Sequence, residues 1–159
     1  MNKLVQLLRS PTALRLGMNL WPPFLGAGIR VESIQEDYRC VQVALLQRFY
    51  NRNYVGTHFG GSMFAMLDPF FMLMVMKNLG EQYYVWDRHG EIDFVAPGRG
   101  KIYANLVIKQ EQLDEIIAAV AHGEKYEPEF ATEIVDKSGE LVARYCKKLY
   151  VRLKPRHRP

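Results

Sequence analysis

From Ser62 to Met76 the chain reads SMFAMLDPFFMLMVM, 15 residues in which Asp68 is the single charge. A bilayer span needs about 20 predominantly apolar residues, so a run of this length with an acid inside it is short for a membrane helix. Met63, Met66, Leu67, Phe70, Phe71 and Met74 fall on every side of a 3.6-residue period, and a helix that is apolar all round belongs in a core. The run therefore predicts a buried helix inside a folded domain. A polar loop punctuated by Gly56, Gly60 and Gly61 leads into it from Asn53 without a break.

The rest of the chain supplies what such a helix needs around it. At 159 residues and 48% hydrophobic content, one domain with a substantial core is expected. Residues 3–25 predict one or two short amphipathic helices, stopped by Pro22-Pro23 and followed by a turn at Gly26 and Gly28. Residues 29–36 and 39–46 read as strands, the second with Val41, Val43 and Leu45 at period two. After the central helix come extended segments over 83–97 and 101–110, joined by Pro97-Gly98-Arg99-Gly100. A short helix over 112–122 closes at Gly123, and strands over 130–136 and 140–153 form a last hairpin. Runs of strands around one helix predict an α+β domain with an antiparallel sheet of five to six strands, not alternating βαβ units.

Charge and cysteine content narrow the class. Seven of the 21 Lys and Arg residues (Arg144, Lys147, Lys148, Arg152, Lys154, Arg156 and Arg158) follow Glu140, where no acid occurs. The remainder carries 14 basic against 17 acidic residues, so the net charge of +4 is a property of the C-terminus and does not argue for nucleic-acid binding. Cys40 and Cys146 stand apart, without metal-ligand or CxxC spacing, and point to reduced thiols in a cytoplasmic protein. Lys3, Arg9 and Arg15 interrupt the apolar pieces of the first 24 residues, unlike a signal peptide with its continuous apolar segment.

Asn53, Gly56, Thr57, Gly60, Gly61 and Asp68 carry a resemblance to hotdog-fold acyl-CoA thioesterases of the phenylacetate-pathway type. Members of that family have an Asn, then Gly-Thr, then His-Gly-Gly, then an Asp seven residues after the second Gly. Phe59 stands here at the family's His position, with the histidine one residue earlier at His58. The segment from Trp86-Asp87 to Pro97-Gly98-Arg99-Gly100 resembles the matching family region, and the likeness covers roughly residues 28–153. It comes nearest to an uncharacterised hotdog group sharing His-Phe-Gly-Gly-Ser and Val-Trp-Asp. The resemblance implies a hotdog fold over 28–153, which leaves the helical pattern of residues 1–27 as an N-terminal extension and the basic residues 154–159 as a tail. It also implies a homodimer or homotetramer acting on acyl-CoA. The site would be shared, with Asn53 and Gly60 from one chain and Asp68 and Asp87 from the other.

Thioester hydrolysis needs an activated water or a carboxylate nucleophile, and donors for the oxyanion that develops on the carbonyl. Asp68, partly desolvated among Phe64, Leu67, Phe71 and Met72, is the candidate carboxylate; the alternative is an N-cap, with Pro69 at the first helical position. If the helix starts earlier, at Gly60, Pro69 should kink it and leave the Ala65 carbonyl without its partner. Gly60 and Gly61 offer backbone N–H groups at a helix start and close approach to a carbonyl, or a plain turn. Asn53 either donates to the same carbonyl or serves as a turn residue. Asp87 lies where the family carries a small hydroxyl residue; as a second carboxylate it either strengthens the basicity of Asp68 by repulsion or caps a strand end. His58, Phe59, Trp86 and Arg99 are candidates for substrate binding, with Arg99 better placed for coenzyme A phosphates than the C-terminal tail. His58, His89 and His122 share no metal spacing, and neither metal nor cofactor is expected beyond the coenzyme A of the substrate. Acyl-CoA hydrolysis is the leading expectation. A non-catalytic acyl-CoA or acyl-carrier binding protein and a hydratase or dehydratase of the same fold are the alternatives, with no role for nucleic acid or membrane.

Overall fold

The computed structural model describes residues 10–157. The part of the expected N-terminal helical region over residues 3–9 and the last two residues of the expected basic tail lie outside them. Helix α1 (Pro11–Leu20) opens where Ser10 Oγ accepts the Ala13 N–H at 3.2 Å, with Pro11 at the first helical position. The prolines at 22 and 23 end α1, as expected, and they also open a second short helix, α2 (Pro22–Ala27), which takes in Gly26 so that the expected turn comes at Gly28. A proline at the start of a helix has its backbone angle preset and lacks an N–H that would have no partner there.

Among the described residues seven strands form one antiparallel sheet: β1 (Ile29–Ile34), β2 (Cys40–Leu46), β3 (Tyr83–Phe94), β4 (Lys101–Val107), β5 (Lys125–Tyr126), β6 (Glu129–Asp136) and β7 (Leu141–Leu153). They run in the order β1-β2-β4-β6-β7-β3, with β5 added beside β7. Only β5 exceeds the expected five to six strands, and two residues are too few to show an alternating pattern. Helix α5 (Gln110–Ala119) starts two residues before its expected position because the Lys109 N–H donates to Gln112 Oε1 at 2.9 Å and fixes the helix entry there.

The apolar run forms the central helix in two pieces, α3 (Gly60–Ala65) and α4 (Phe70–Leu79). Pro69 supplies no N–H to the Ala65 carbonyl, and the Phe70 N–H turns to Leu67 O at 3.2 Å, so the helix breaks where the sequence placed the kink. Residues 60–79 together are long and apolar enough to cross a membrane by length and composition, yet half of that window is buried within the domain. Met66, Leu67, Phe70, Phe71 and Met74 are fully buried against Leu45, Leu106, Ile134, Leu149 and Val151 of the sheet, and Phe71 stacks on Phe130 at 5.1 Å. Burying each of these side chains stabilises the fold by about 1.5–3 kcal/mol. A sheet wrapped around one helix in this way is the hotdog fold.

The two edges of the sheet differ. The Asn19 side chain accepts the Val31 N–H at 2.8 Å and donates to the Val31 carbonyl at 3.0 Å, so α1 covers the β1 edge in place of a further strand. At the other edge, β3 pairs with β7 on one side and presents 12 residues of strand on the other.

Candidate functional site

The loop from Asn53 to His58 is tied to itself. The Asn53 amide donates to Thr57 Oγ1 at 2.7 Å and to the His58 carbonyl at 3.1 Å, while its Oδ1 accepts the N–H groups of Val55 (3.1 Å) and Thr57 (2.9 Å). Within this chain the amide is spent on the loop, and the donor that the resemblance assigned to a thioester carbonyl is not free. An Asn can satisfy a turn's backbone in this way because its side chain carries both donors and an acceptor.

His58 is buried, and its Nε2 lies 2.8 Å from the Gly100 carbonyl. A carbonyl only accepts, so Nε2 carries the proton and Nδ1 is a buried lone pair with no partner among the described residues. Burial holds the imidazole below its ordinary value of 6.5, against the smaller opposing effect of the Gly100 bond, and keeps it neutral.

A cleft of about 550 Å³ opens beside this loop, lined by Asn53, His58, Gly60, Met63, Phe94 and Arg99 among others. The Gly60 and Gly61 N–H groups take no acceptor among the described residues, as befits the start of a helix whose first bonds run from Ser62 and Met63 to Phe59 O. A Cβ on Gly60 would come within 2.9 Å of the Phe94 ring, and one on Gly61 within 2.4 Å of the Phe59 ring. A side chain at either position would displace one of these exposed rings, and neither glycine has a left-handed backbone. Arg99 reaches back to the Gly56 carbonyl at 3.4 Å and leaves most of its guanidinium open at the rim.

Asp68 and Asp87 do not line this cleft. Asp68 sits in the break between α3 and α4 and makes no cap: α4 starts after Pro69 without a side-chain capping bond. Instead Lys147 Nζ lies 2.7 Å from Asp68 Oδ1 and 2.8 Å from Asp87 Oδ1. The lysine side chain is 2% exposed and the two carboxylates 45% and 35%. A buried ammonium is tolerable only when it is paired and hydrogen-bonded, and the two acids supply that pairing. Asp87 is thus a partner of the same lysine, not a strand cap, and Asp68 Oδ2 remains without a hydrogen bond among the described residues.

Lys147 is the residue that sequence reasoning missed. It was counted with the basic C-terminus, yet β7 alternates, placing Ala143, Tyr145, Lys147, Leu149 and Val151 inward. A lysine on the inward phase of an apolar strand was the available signal. Tyr145, two residues away on the same face, is also fully buried, with its hydroxyl unpartnered among the described residues. Burial first, then the charges of Asp68 and Asp87, push the phenol well above its usual range. Gly90, paired with Lys147 across β3, leaves the space for this: a Cβ there would meet the Phe64 ring at 3.0 Å and the Tyr145 hydroxyl at 3.2 Å.

Phe59 lies exposed over Gly61, outside the lining of the cleft. Trp86 faces away from Asp87. It stacks on Tyr150 at 5.8 Å and tilts against Tyr84 at 5.4 Å on the outer face of the sheet, because adjacent residues of a strand point to opposite faces.

A family model described as a domain of unknown function, DUF4442, matches residues 12–151. No curated protein matches the sequence. Among solved structures, a probable thioesterase from Pseudomonas aeruginosa, PA5026, is 19% identical, with a TM-score of 0.77 over 91% of this chain and 97% of that one. The thioesterase HI1161 from Haemophilus influenzae is 14% identical, with a TM-score of 0.65 over 89% and 90%. The PaaI protein of the E. coli phenylacetic acid degradation operon is 18% identical, with a TM-score of 0.62 over 90% and 92%. At these identities the likeness establishes the hotdog fold.

Proposed function

Since the chain belongs to the DUF4442 family and has the fold of the thioesterase-named structures, we propose that it hydrolyses an acyl-CoA thioester at a site shared by two copies of the chain. The observation that carries this reading is a separation. The oxyanion donors at Gly60 and Gly61 and the cleft with Arg99 lie at one end of α3, while Asp68, held by Lys147, lies beyond its other end. Gly61 and Asp68 are seven residues apart, a separation that a helical path would span with a rise of about 10 Å, too far for one reacting carbonyl to touch both. A second copy related by a two-fold axis brings the carboxylate of one chain to the loop of the other. Exposed Phe59 beside the cleft, Phe94 and Val95 in its lining, and the free β3 edge supply a surface for that contact.

In the resulting site Lys147 fixes Asp68 through Oδ1 and leaves Oδ2 to take a proton from water. The hydroxide adds to the thioester carbon, and the Gly60 and Gly61 N–H groups bind the oxygen that becomes negative. Collapse of the tetrahedral intermediate breaks the C–S bond, and the proton held by Asp68 passes to the departing thiolate of coenzyme A. Neutral His58 stays bonded to Gly100 and serves the shape of the loop.

Thiol release from a panel of acyl-CoAs tests the activity; binding without release by the wild type would instead make the protein a carrier. Subunit mixing tests the shared site. Asn53→Ala disables the loop half and Asp68→Ala the carboxylate half, so each alone is nearly inactive. In a statistical mixture about half the dimers are mixed, each with one intact site, and activity returns to roughly a quarter of wild type. A mixture as inactive as its parents, with exchange verified by mass spectrometry, would place each site within one chain.

A further inference from the structure

At the far edge of the sheet a second cleft, of about 370 Å³, lies between α1, α2 and the ends of β1 and β2. Leu16, Leu20, Leu25, Ile29 and Leu46 give it an apolar lining, and Leu20 stays 72% exposed. Arg15, Arg30 and Arg48 also line it, together with Tyr50, and no acid does. None of the three arginines has an ion pair or a side-chain hydrogen bond among the described residues. The sequence around them explains why: residues 1–31 contain no Asp or Glu, and neither do residues 38–67.

An apolar slot ringed by unneutralised guanidinium groups suits a ligand with both an alkyl body and an anionic head. We propose that this cleft binds a single amphiphile of that kind, an alkyl carboxylate or phosphate monoester, with its tail against the leucines and its head between Arg30 and Arg48. Arginine presents a planar fork of donors that matches both head groups. Charge argues against two other occupants. A second copy docked through the same face would set three arginines against three. Residues 1–9 carry Lys3 and Arg9 and no acid, so that segment would bring like charge to the arginines. The site is independent of the hydrolase reading, since no residue of the Asp68 cluster or of the Arg99 cleft lines it.

The test is calorimetric titration of the full chain with decyl phosphate and with decanoate below their micelle-forming concentrations. Both bind the wild type, and decanol at least tenfold more weakly. Arg30→Gln/Arg48→Gln weakens both by at least tenfold and Leu20→Gln by several-fold, with thermal midpoints unchanged, whereas Arg99→Gln leaves both affinities as they were. Equal binding by wild type and the double arginine variant overturns the proposal, as does loss of binding in Arg99→Gln. A third arm uses vesicles of phosphatidylcholine with and without phosphatidylglycerol. Sedimentation with the anionic vesicles alongside no binding of the monomeric amphiphiles would mean a membrane-docking face and overturn the single-ligand site. Deletion of residues 1–9 leaves affinity unchanged; a tenfold gain would mean that this segment fills the cleft.

Discussion

Asn53 spends its side chain on four hydrogen bonds inside its own loop, whereas Asp68 leaves one carboxylate oxygen unused in a break of the central helix. The loop half of the candidate site is thus shaped by polar side chains turned back on the backbone, with the Gly60 and Gly61 amides without an acceptor among the described residues and Arg99 at the rim of the cleft. The carboxylate half is shaped by a buried lysine paired with both acids, and it leaves Asp68 Oδ2 without a hydrogen bond among the described residues. In the proposed site the first half would hold form and bind, and the second would hold charge and react.

The largest effects should therefore fall on the carboxylate half, and they should separate activity from stability. Asp68→Asn keeps Lys147 paired with Asp87, so the fold survives while turnover falls by about 10² or more, the scale of a general base. Asp68→Asn/Asp87→Asn strands the ammonium in the core. Removing a buried charge's partners costs about 3–5 kcal/mol, and the partial exposure of both carboxylates puts this case near 3. The thermal midpoint of the double variant should drop by roughly 6–12 °C. Lys147→Met releases the two acids toward water, so stability should change by less than about 1.5 kcal/mol while turnover falls about tenfold as Asp68 loses its orientation. Thermal melts and thiol release on all three variants check this. A double variant as stable as wild type would mean that the lysine is reached by water and that the cluster is an ordinary surface ion pair.

How much of this the sequence disclosed follows from the range of each signal. The central helix, its kink at Pro69 and the strand pairs were legible because apolar runs, alternation and proline act over a few residues. The spacing from Gly61 to Asp68 was legible as a resemblance, and the outward turn of Trp86 could have been read from its place next to Asp87 in one strand. The clamp by Lys147 was not, since it joins residues 79 apart in sequence, and the lysine's charge hid among those of its neighbours. The fate of the Asn53 amide was equally hidden, because the same residue in the same loop can face a ligand or its own backbone, and only three-dimensional geometry decides.

On the binding side, Arg99 and the chain's basic end give a smaller contrast. Arg99 stands at the rim of the cleft, while Lys154 reaches the Glu81 carbonyl and lies over the Tyr84 ring at 5.3 Å, away from it. Arg99→Gln should weaken apparent affinity for acyl-CoA several-fold, with a reduced salt dependence, and leave a short acyl-pantetheine, which lacks the nucleotide phosphates, unchanged. Deleting residues 155–159 should alter neither substrate. A coenzyme A-selective loss in the truncated chain alone would move phosphate recognition to the C-terminus and remove Arg99 from the loop half's role.

The smallest effect belongs to His58 and is visible only in the pH dependence of stability. Its imidazole is held below 6.5 in the folded chain and titrates near that value when unfolded. As pH falls through 6.5 the unfolded chain takes up a proton that the folded chain refuses, so stability declines toward acid and levels off once the folded imidazole is also protonated. One group contributes a slope of at most about 1.4 kcal/mol per pH unit in that window. His58→Gln places an amide N–H where Nε2 donates to Gly100, keeps the loop tied to the turn at 97–100, and cannot titrate. The stability difference between pH 7.5 and pH 5.5, measured by denaturant unfolding, should therefore be smaller in His58→Gln than in wild type, with turnover per folded chain little changed. An equal difference in the two proteins would mean that the imidazole protonates in the folded chain as readily as in the unfolded one. A loss of turnover as large as that of Asp68→Asn would give the loop half a reacting group and erase the division between the halves.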